Sequence, residues 1–596
     1  MNETHVALMI RSRIENYGER TALRYKESGQ WKDISWNAMG DQIQAVSKGL
    51  LEFDVKAGDN VALFSQNSPD WTITDYGILT VRGVSVPIYP TSSAKQAEYI
   101  INEAEIKIIF VGAQDQYDKV KTFADSSPYL KKIIVFDSNV KLDGNNTAVY
   151  FKDLLNLGRK SGRDAEVEER LNNASIDDLA TIIYTSGTTG EPKGVMLHHS
   201  TFYYCFIANK KRLDVSDQDV SLCFLPLSHV FERAWCYFAA ENGMIINYCD
   251  DISKIIEYMK EVRPTVMCAV PRFYEKIYSA VFDKLESAPP SKKKLFKWAI
   301  KVGEQVYVRV KEKMAIPPGL KLKHMIADRL VLKKIREIVG GRIRLFPCAG
   351  APLSKEIEVF FHSAGIFIAY GYGLTETCAT VSVHDKYHFR PGTVGKPLDG
   401  VYVKIAGNGE ILVKGPTVTK GYYKKPEATA ESFEDGWFKT GDVGILEEGY
   451  LTITDRIKDL MKTSGGKYIA PQLVETMIGK DYYIDQIAII GDARKFVSAI
   501  IVPAFDALEE YAKTHNIAYS SREDLVKNQA IIQFYQKRID ENSKDLAGHE
   551  QIKKFILLSS PFTQEAGEMT PTMKLKRKVV NDKYKDIIEN MYENIK

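Results

Sequence analysis

Short apolar runs rich in β-branched residues take turns with helical stretches, and that alternation does most to narrow what this sequence can fold into. Between residues 60 and 136 the order is "VALF", "WTITDYGILTVRG", "VSVPIY", "AKQAEYIINEA", "IKIIFVG" and "KKIIVF". Strand and helix in this rhythm predict a parallel sheet with helices on its faces. The rhythm resumes at "ATIIYT", "PTVMCAVP", "IRLFPCAG" and "IFIAYGYG", each closed by small or polar residues. Ligands of such folds sit beyond the carboxyl ends of the strands. A chain of 596 residues exceeds what one ordinary core serves, so two or more domains are expected.

After about residue 392 the pattern changes to short strands closed by glycine turns, "GTVGKPLDGVYVKIAGNGEILVKGP" and "GDVGILEEGYLTITD". This predicts a β-rich subdomain over about 392–455. Beyond "DRIKD" (residues 455–459) follow the paired strands "QIAIIG" and "SAIIVPA", later helices, and the basic tail "TPTMKLKRK". The expected fold class is α/β. Residues 1–457 form a large N-terminal domain of parallel-type sheets flanked by helices, with the β-rich subdomain attached, and 458–596 form a small α+β domain.

The formal charge of +3 argues against a chain devoted to nucleic acid. Residues 291–344, however, hold 16 Lys and Arg against 4 Asp and Glu. That excess reads as a solvated helical insertion over about 280–342, or as a face for anionic membrane or another polyanion. Seven cysteines lie mid-chain, mostly in apolar runs and without a CxxC pair, which fits buried reduced thiols. The first twenty residues show no signal-like apolar core, and no run approaches the ~20 apolar residues of a membrane span. A cytoplasmic protein is expected, with peripheral contact at the inner membrane surface left open, as is oligomerisation.

The run "YTSGTTGEPKG" (residues 184–194) follows one of the apolar strands. Its three glycines and four hydroxyl side chains after the tyrosine expose many donors to a polyanion at close range, chemistry that suits phosphate. A P-loop NTPase would place Gly before its lysine and Ser or Thr after it. Here Lys193 stands between Pro192 and Gly194, so that pattern fails.

The loop is followed, in order, by "PLSHVFER" (226–233), "YGYGLTE" (370–376), "KTGD" (439–442), "DRIKDLMKTSGGKYIAP" (455–471) and "TPTMKLKR" (570–577). Together these motifs resemble the adenylate-forming superfamily of acyl-CoA synthetases, above all its long-chain fatty acid CoA ligases. The resemblance implies two half-reactions. A fatty acid carboxylate attacks the α-phosphate of ATP, with Mg²⁺, to give acyl-AMP and pyrophosphate; the thiol of CoA then displaces AMP.

The same resemblance implies site roles. Thr185, Ser186, Gly187, Thr188, Thr189 and Gly190 would hold the β- and γ-phosphates, helped by Lys193 and with Thr185 near the metal. Glu376 would bind Mg²⁺, a hard oxygen for a hard cation. Tyr372 would stack on adenine; Gly350, Ala351, Pro352, Gly373 and Thr375 would line the nucleotide; Asp442 would accept from the ribose hydroxyls and Arg456 would add a ribose or phosphate contact. Lys574, whose long stem can reach carboxylate and α-phosphate together, is the candidate for adenylation. The C-terminal domain would rotate about Lys458 between half-reactions, bringing Lys462, Gly465 and Gly466 to CoA. His229 would orient the carboxylate without transferring a proton, since a carboxylate needs no general base. Phe231 and Trp235, in "FERAWCYFAAENGMIINY", would wall an acyl tunnel or belong to the core. Arg272, in "AVPRFYEKIY", has no role that its own chemistry supplies.

Two rivals share these motifs: an acyl-AMP ligase that loads a carrier protein, and a non-enzymatic acyl-binding or uptake protein. The second has no use for Lys574, Glu376 and the phosphate loop. If the basic stretch meets lipid, liposome binding is salt-sensitive and weakened by neutralising Lys292, Lys293 and Lys294.

Overall fold

The computed structural model of the protein describes residues 5–142, 144–185, 191–286, 288–464, 467–544, 546–570 and 574–593. The alternation read between residues 60 and 136 becomes the centre of a seven-stranded sheet. Its order is Ala148–Tyr150, Lys132–Val135, Ile108–Val111, Asn60–Phe64, Val84–Ile88, Leu179–Thr185 and Lys193–His198. All neighbours are parallel except the last pair. Val61 and Leu63 enter one apolar cluster while Ala62 and Phe64 enter another. Side chains alternate across a strand, so a sheet covered on both faces requires an unbroken apolar run, which "VALF" is. Helix Pro69–Thr80 is buried along its length and capped by the Ser68 hydroxyl, which accepts from the Trp71 N–H at 3.1 Å.

A second sheet starts from the antiparallel hairpin Thr21–Glu27 and Gln30–Ser35, joined in parallel to Ile245–Tyr248 and then Val220–Cys223. Bridges at Val266 and Ala269 carry it on to Leu345–Cys348 and Phe367–Tyr372. The carboxyl ends of three of these strands feed the segments holding His229, Gly350 and Glu376. Five antiparallel strands between Tyr402 and Arg456 form the β-rich layer.

The C-terminal part pairs Ile484–Ile490 with Val497–Pro503 and Val497–Pro503 with Ile552–Leu557. Its apolar cluster begins at Met461 and shares no residue with the main one, which reaches Leu451. Polar pairs reach across: Arg272 Nη2 to Asp485 Oδ1 at 2.6 Å, Lys480 Nζ to Glu356 Oε2 at 3.2 Å, and Gln564 Nε2 to Thr91 Oγ1 at 3.2 Å. The basic stretch is helical, as Pro290–Lys311, Pro318–Ala327, a π turn at Asp328–Leu332, and Lys333–Ile338. All seven cysteines are buried and unpaired. Among the described residues no helix is long and apolar enough to cross a membrane.

Candidate active site

At the end of strand Phe367–Tyr372 the chain must turn at once, and Gly373 permits it: a Cβ there would lie 2.0 Å from the Ala379 carbonyl oxygen. The 3₁₀ turn Thr375–Thr377 follows. Tyr372 donates its hydroxyl to Asp442 Oδ2 at 2.6 Å, and Arg456 Nε lies 3.0 Å from Asp442 Oδ1. Asp442 is buried, held between a phenol and a guanidinium, and each of its oxygens keeps a lone pair for a further donor. Tyr372 is therefore fixed through its hydroxyl, with its ring in the wall of the site. Opposite, Gly350 takes φ +94°, a backbone setting that excludes most side chains, and Tyr370 pins the loop by accepting from the Leu353 N–H and donating to the Ala351 carbonyl.

Glu376 accepts a hydrogen bond from the Tyr422 hydroxyl at 2.9 Å, and the Lys193 ammonium sits 5.1 Å from the centre of the Tyr422 ring. Burial lifts the Glu376 carboxyl above its ordinary range. Thr185 ends its strand half-buried, its hydroxyl 3.5 Å from the Lys193 carbonyl oxygen. A sheltered carboxylate with one hydroxyl donor is a hard oxygen ligand that fits Mg²⁺.

Lys574 is tied to Thr570, whose N–H donates to the Lys574 carbonyl at 2.8 Å and whose hydroxyl oxygen accepts from the Lys574 N–H at 3.0 Å, and Met569 bridges Leu575. Its surroundings include Arg456, Asp442, Asp459 and Glu376; partial desolvation among these groups, then the Arg456 charge, lowers its ammonium from the usual lysine range to about 8, although the residue keeps exposed surface. His229 is the N-cap of helix Val230–Glu241, with Nδ1 accepting from the Phe231 N–H at 3.2 Å. That bond fixes the tautomer, leaving the proton on Nε2. Burial, with the Lys574 charge second, lowers its pKa to about 4, so the imidazole is neutral near pH 7.

From this polar end an apolar recess runs inward, enclosing ≈ 510 Å³ of atom-free space that is partly continuous with solvent. Phe231, Ala234, Trp235 and Phe238 line it from one helix, Cys205 and Phe206 from another, and Ala349, Gly371 and Tyr372 at the nucleotide end. Phe231 and Trp235 are thus wall residues; Trp235 also donates Nε1–H to Ser221 Oγ at 2.9 Å.

Three features escaped the sequence. Arg233, fully buried, pairs with Asp75 Oδ1 at 2.5 Å and donates to Thr181 Oγ1 at 2.6 Å, while Tyr237 donates to Asp75 Oδ2 at 2.5 Å. This knot ties the His229 helix to the strand that leads into the phosphate loop. Tyr422 is the second; its only signal was an aromatic residue beside Gly421. Met196 and Tyr423 donate their N–H groups to the Gly421 and Gly194 carbonyls, clamping that segment to the strand of Lys193. The third is Arg272, whose side chain reaches Asp485 of the C-terminal part and so acquires a role as an anchor.

The cluster thus gathers Tyr372, Thr375, Glu376, Asp442, Arg456, Lys193, His229 and Lys574 around one cleft, with Gly350, Ala351 and Pro352 exposed at its edge. Lys458 is exposed in a turn, and Lys462, on the hairpin with Tyr468, stands over the Tyr468 ring at 5.5 Å, apart from these contacts. Ser186, Gly187, Thr188, Thr189 and Gly190, and Gly465 and Gly466, lie outside the described residues.

Comparison with known proteins supplies context for this cleft. The family described as "AMP-binding enzyme" matches residues 10–423, and "AMP-binding enzyme C-terminal domain" matches residues 458–596. The chain is 35% identical to the long-chain-fatty-acid–CoA ligase FadD15 of Mycobacterium bovis, over 95% of this chain and 93% of that protein. It is 31% identical to the peroxisomal long chain acyl-CoA synthetase 7 of Arabidopsis thaliana, over 98% and 85%. In fold it is similar to the A domain of the carboxylic acid reductase from Segniliparus rugosus, solved with AMP and a co-purified carboxylic acid, with a TM-score of 0.79, 22% identity, and 99% and 94% of the two chains covered.

Proposed function

The chain belongs to the AMP-binding enzyme family, and from that premise we propose that it is a long-chain fatty acid CoA ligase, activating the acid with ATP and passing the acyl group to CoA. The observation that carries this is Lys574 among Glu376, Asp442 and Arg456 and within electrostatic reach of His229, which caps the helix lining the apolar recess.

In the first half-reaction the acyl chain fills the recess and its carboxylate meets the His229 Nε2–H, a neutral donor that orients without taking a proton. Lys574 bridges the attacking carboxylate oxygen and the α-phosphate, so its charge counts most where negative charge gathers in the transition state. Asp442 accepts from the ribose hydroxyls, Tyr372 walls the adenine, and Lys193 and the phosphate loop hold the pyrophosphate end. Mg²⁺, bound by Glu376 with Thr185 nearby, would neutralise phosphate charge. The domain 458–596 then turns about Lys458, withdrawing Lys574 and presenting Lys462 with its neighbouring glycines to CoA. Seven buried, unpaired thiols support a reducing, cytoplasmic setting.

The test is pyrophosphate release from the purified protein with ATP, Mg²⁺ and acids from acetate to oleate, with and without CoA. Release that peaks at long chains, with thioester formed only when CoA is present, is expected. Release without thioester would favour a carrier-protein acceptor, and silence with every acid would remove the enzymatic reading.

Three further outcomes are expected. With the Lys574 ammonium lowered to about 8, kcat/KM for ATP should fall as pH rises through that value, and Lys574→Arg, whose guanidinium stays charged, should flatten that limb at a lower absolute rate. Ala234→Phe should fill the recess and move the optimum to shorter acids, read as the ratio of kcat/KM for oleate to octanoate. Arg272→Gln should slow acyl-AMP formation about threefold to tenfold while leaving thioester formation from supplied acyl-AMP unchanged, since an exposed pair is worth about 1 kcal/mol.

A further inference from the structure

We propose that the outer face of the helical segment Pro318–Leu332 is a docking surface for an anionic lipid membrane. Leu322, Met325, Ile326 and Leu330 are 55%, 62%, 43% and 43% exposed, four large apolar side chains left open among the described residues. Their spacing, three, one and four residues apart, sets them along one side of the helix, while Ala327, Val331, Leu332 and Ile335 are buried on the other. The outward side is therefore apolar by placement and not through a lack of buried positions.

Charge identifies the occupant. Lys321, Lys323, Arg329, Lys333 and Lys334 are exposed around the apolar row. The one acid within it, Asp328, is held by Arg336 through hydrogen bonds of 2.7 and 3.0 Å. Across residues 291–344 the excess is 16 basic against 4 acidic side chains. A soluble polyanion would neutralise the lysines and leave the four apolar side chains in water. A second copy of this face would cover the apolar row but set like charges against each other. A leaflet of anionic phospholipid satisfies both halves, headgroups against the lysines and acyl boundary against Leu322, Met325, Ile326 and Leu330. The surface is independent of the ligase reading, because it needs neither ATP nor an acid.

The experiment is flotation of the full chain with vesicles of phosphatidylcholine, alone or mixed with phosphatidylglycerol, at low and high NaCl. Wild type is expected to bind only the mixed vesicles and to be released by salt. Lys321→Gln/Lys323→Gln/Lys333→Gln should lower the partition coefficient about a hundredfold at low salt, from about fivefold per basic residue. Leu322→Ser/Met325→Ser/Leu330→Ser should lower it comparably while keeping the full charge, which separates insertion from simple attraction. Circular dichroism, melting temperature and octanoate activation should match wild type in both variants, so lost binding is not lost folding. Equal binding to both vesicle types, binding by the variants at wild-type level, or a concentration-dependent dimer abolished by the serine variant would each overturn the proposal, the last by assigning the face to a second copy.

Discussion

Lys574→Ala should lower pyrophosphate release at least about 10²- to 10³-fold, the usual cost of removing one preorganised charge from the site of developing negative charge. ATP binding should change little, because the proposed adenine and ribose contacts belong to Tyr372, Asp442 and Arg456, which hold one another without Lys574. Acyl-AMP supplied from outside should still give thioester at close to the wild-type rate, because the proposed rotation about Lys458 withdraws Lys574 before CoA enters. Parallel loss of both half-reactions would assign Lys574 to holding the domain in place and not to the chemistry. Single-turnover kinetics with labelled ATP, and with synthetic acyl-AMP, separate the two.

The second large effect concerns stability. Arg233→Met leaves Asp75 buried with only the Tyr237 hydroxyl as partner, and Thr181 loses the donor to its hydroxyl. Breaking one side of a buried pair costs about 3–5 kcal/mol, because the remaining charge is left without compensation. Urea unfolding of the N-terminal domain should show that loss. Arg233→Met/Asp75→Leu should recover much of it, since removing both charges also removes both desolvation penalties. A double mutant no more stable than Arg233→Met alone would mean that packing around the guanidinium, and not charge, holds the knot.

What the sequence disclosed and what it hid follow from the range of the interactions. Strand and helix alternation is local, and an unbroken run such as "VALF" already implies a sheet covered on both faces. The motif around Glu376 lies within seven residues, so its turn chemistry, Gly373 included, was visible. Asp75 and Arg233 stand 158 residues apart, and nothing in either segment marks the other as its partner. Tyr422 is one tyrosine among 32, and only its hydrogen bond to Glu376 distinguishes it. Arg272 was conspicuous in its stretch, but its role depends on Asp485, in a different domain. Tyr372 was expected as a stacking ring, and its fixed hydroxyl became evident only once Asp442 was folded against it.

The separation of the two apolar clusters also bears on how turnover responds to temperature. Hydrating apolar surface raises the heat capacity of a conformational step, and hydrating polar surface lowers it by a smaller amount per unit area. The pairs that cross between the parts, Arg272 with Asp485, Lys480 with Glu356 and Gln564 with Thr91, are polar, and no side chain of one apolar cluster belongs to the other. Releasing them hydrates charged and amide groups and leaves both cores dry. Because three polar pairs expose little surface, the proposed turning step should show an almost straight Eyring plot, and pronounced curvature in the overall rate points to entry of the acyl chain into its recess.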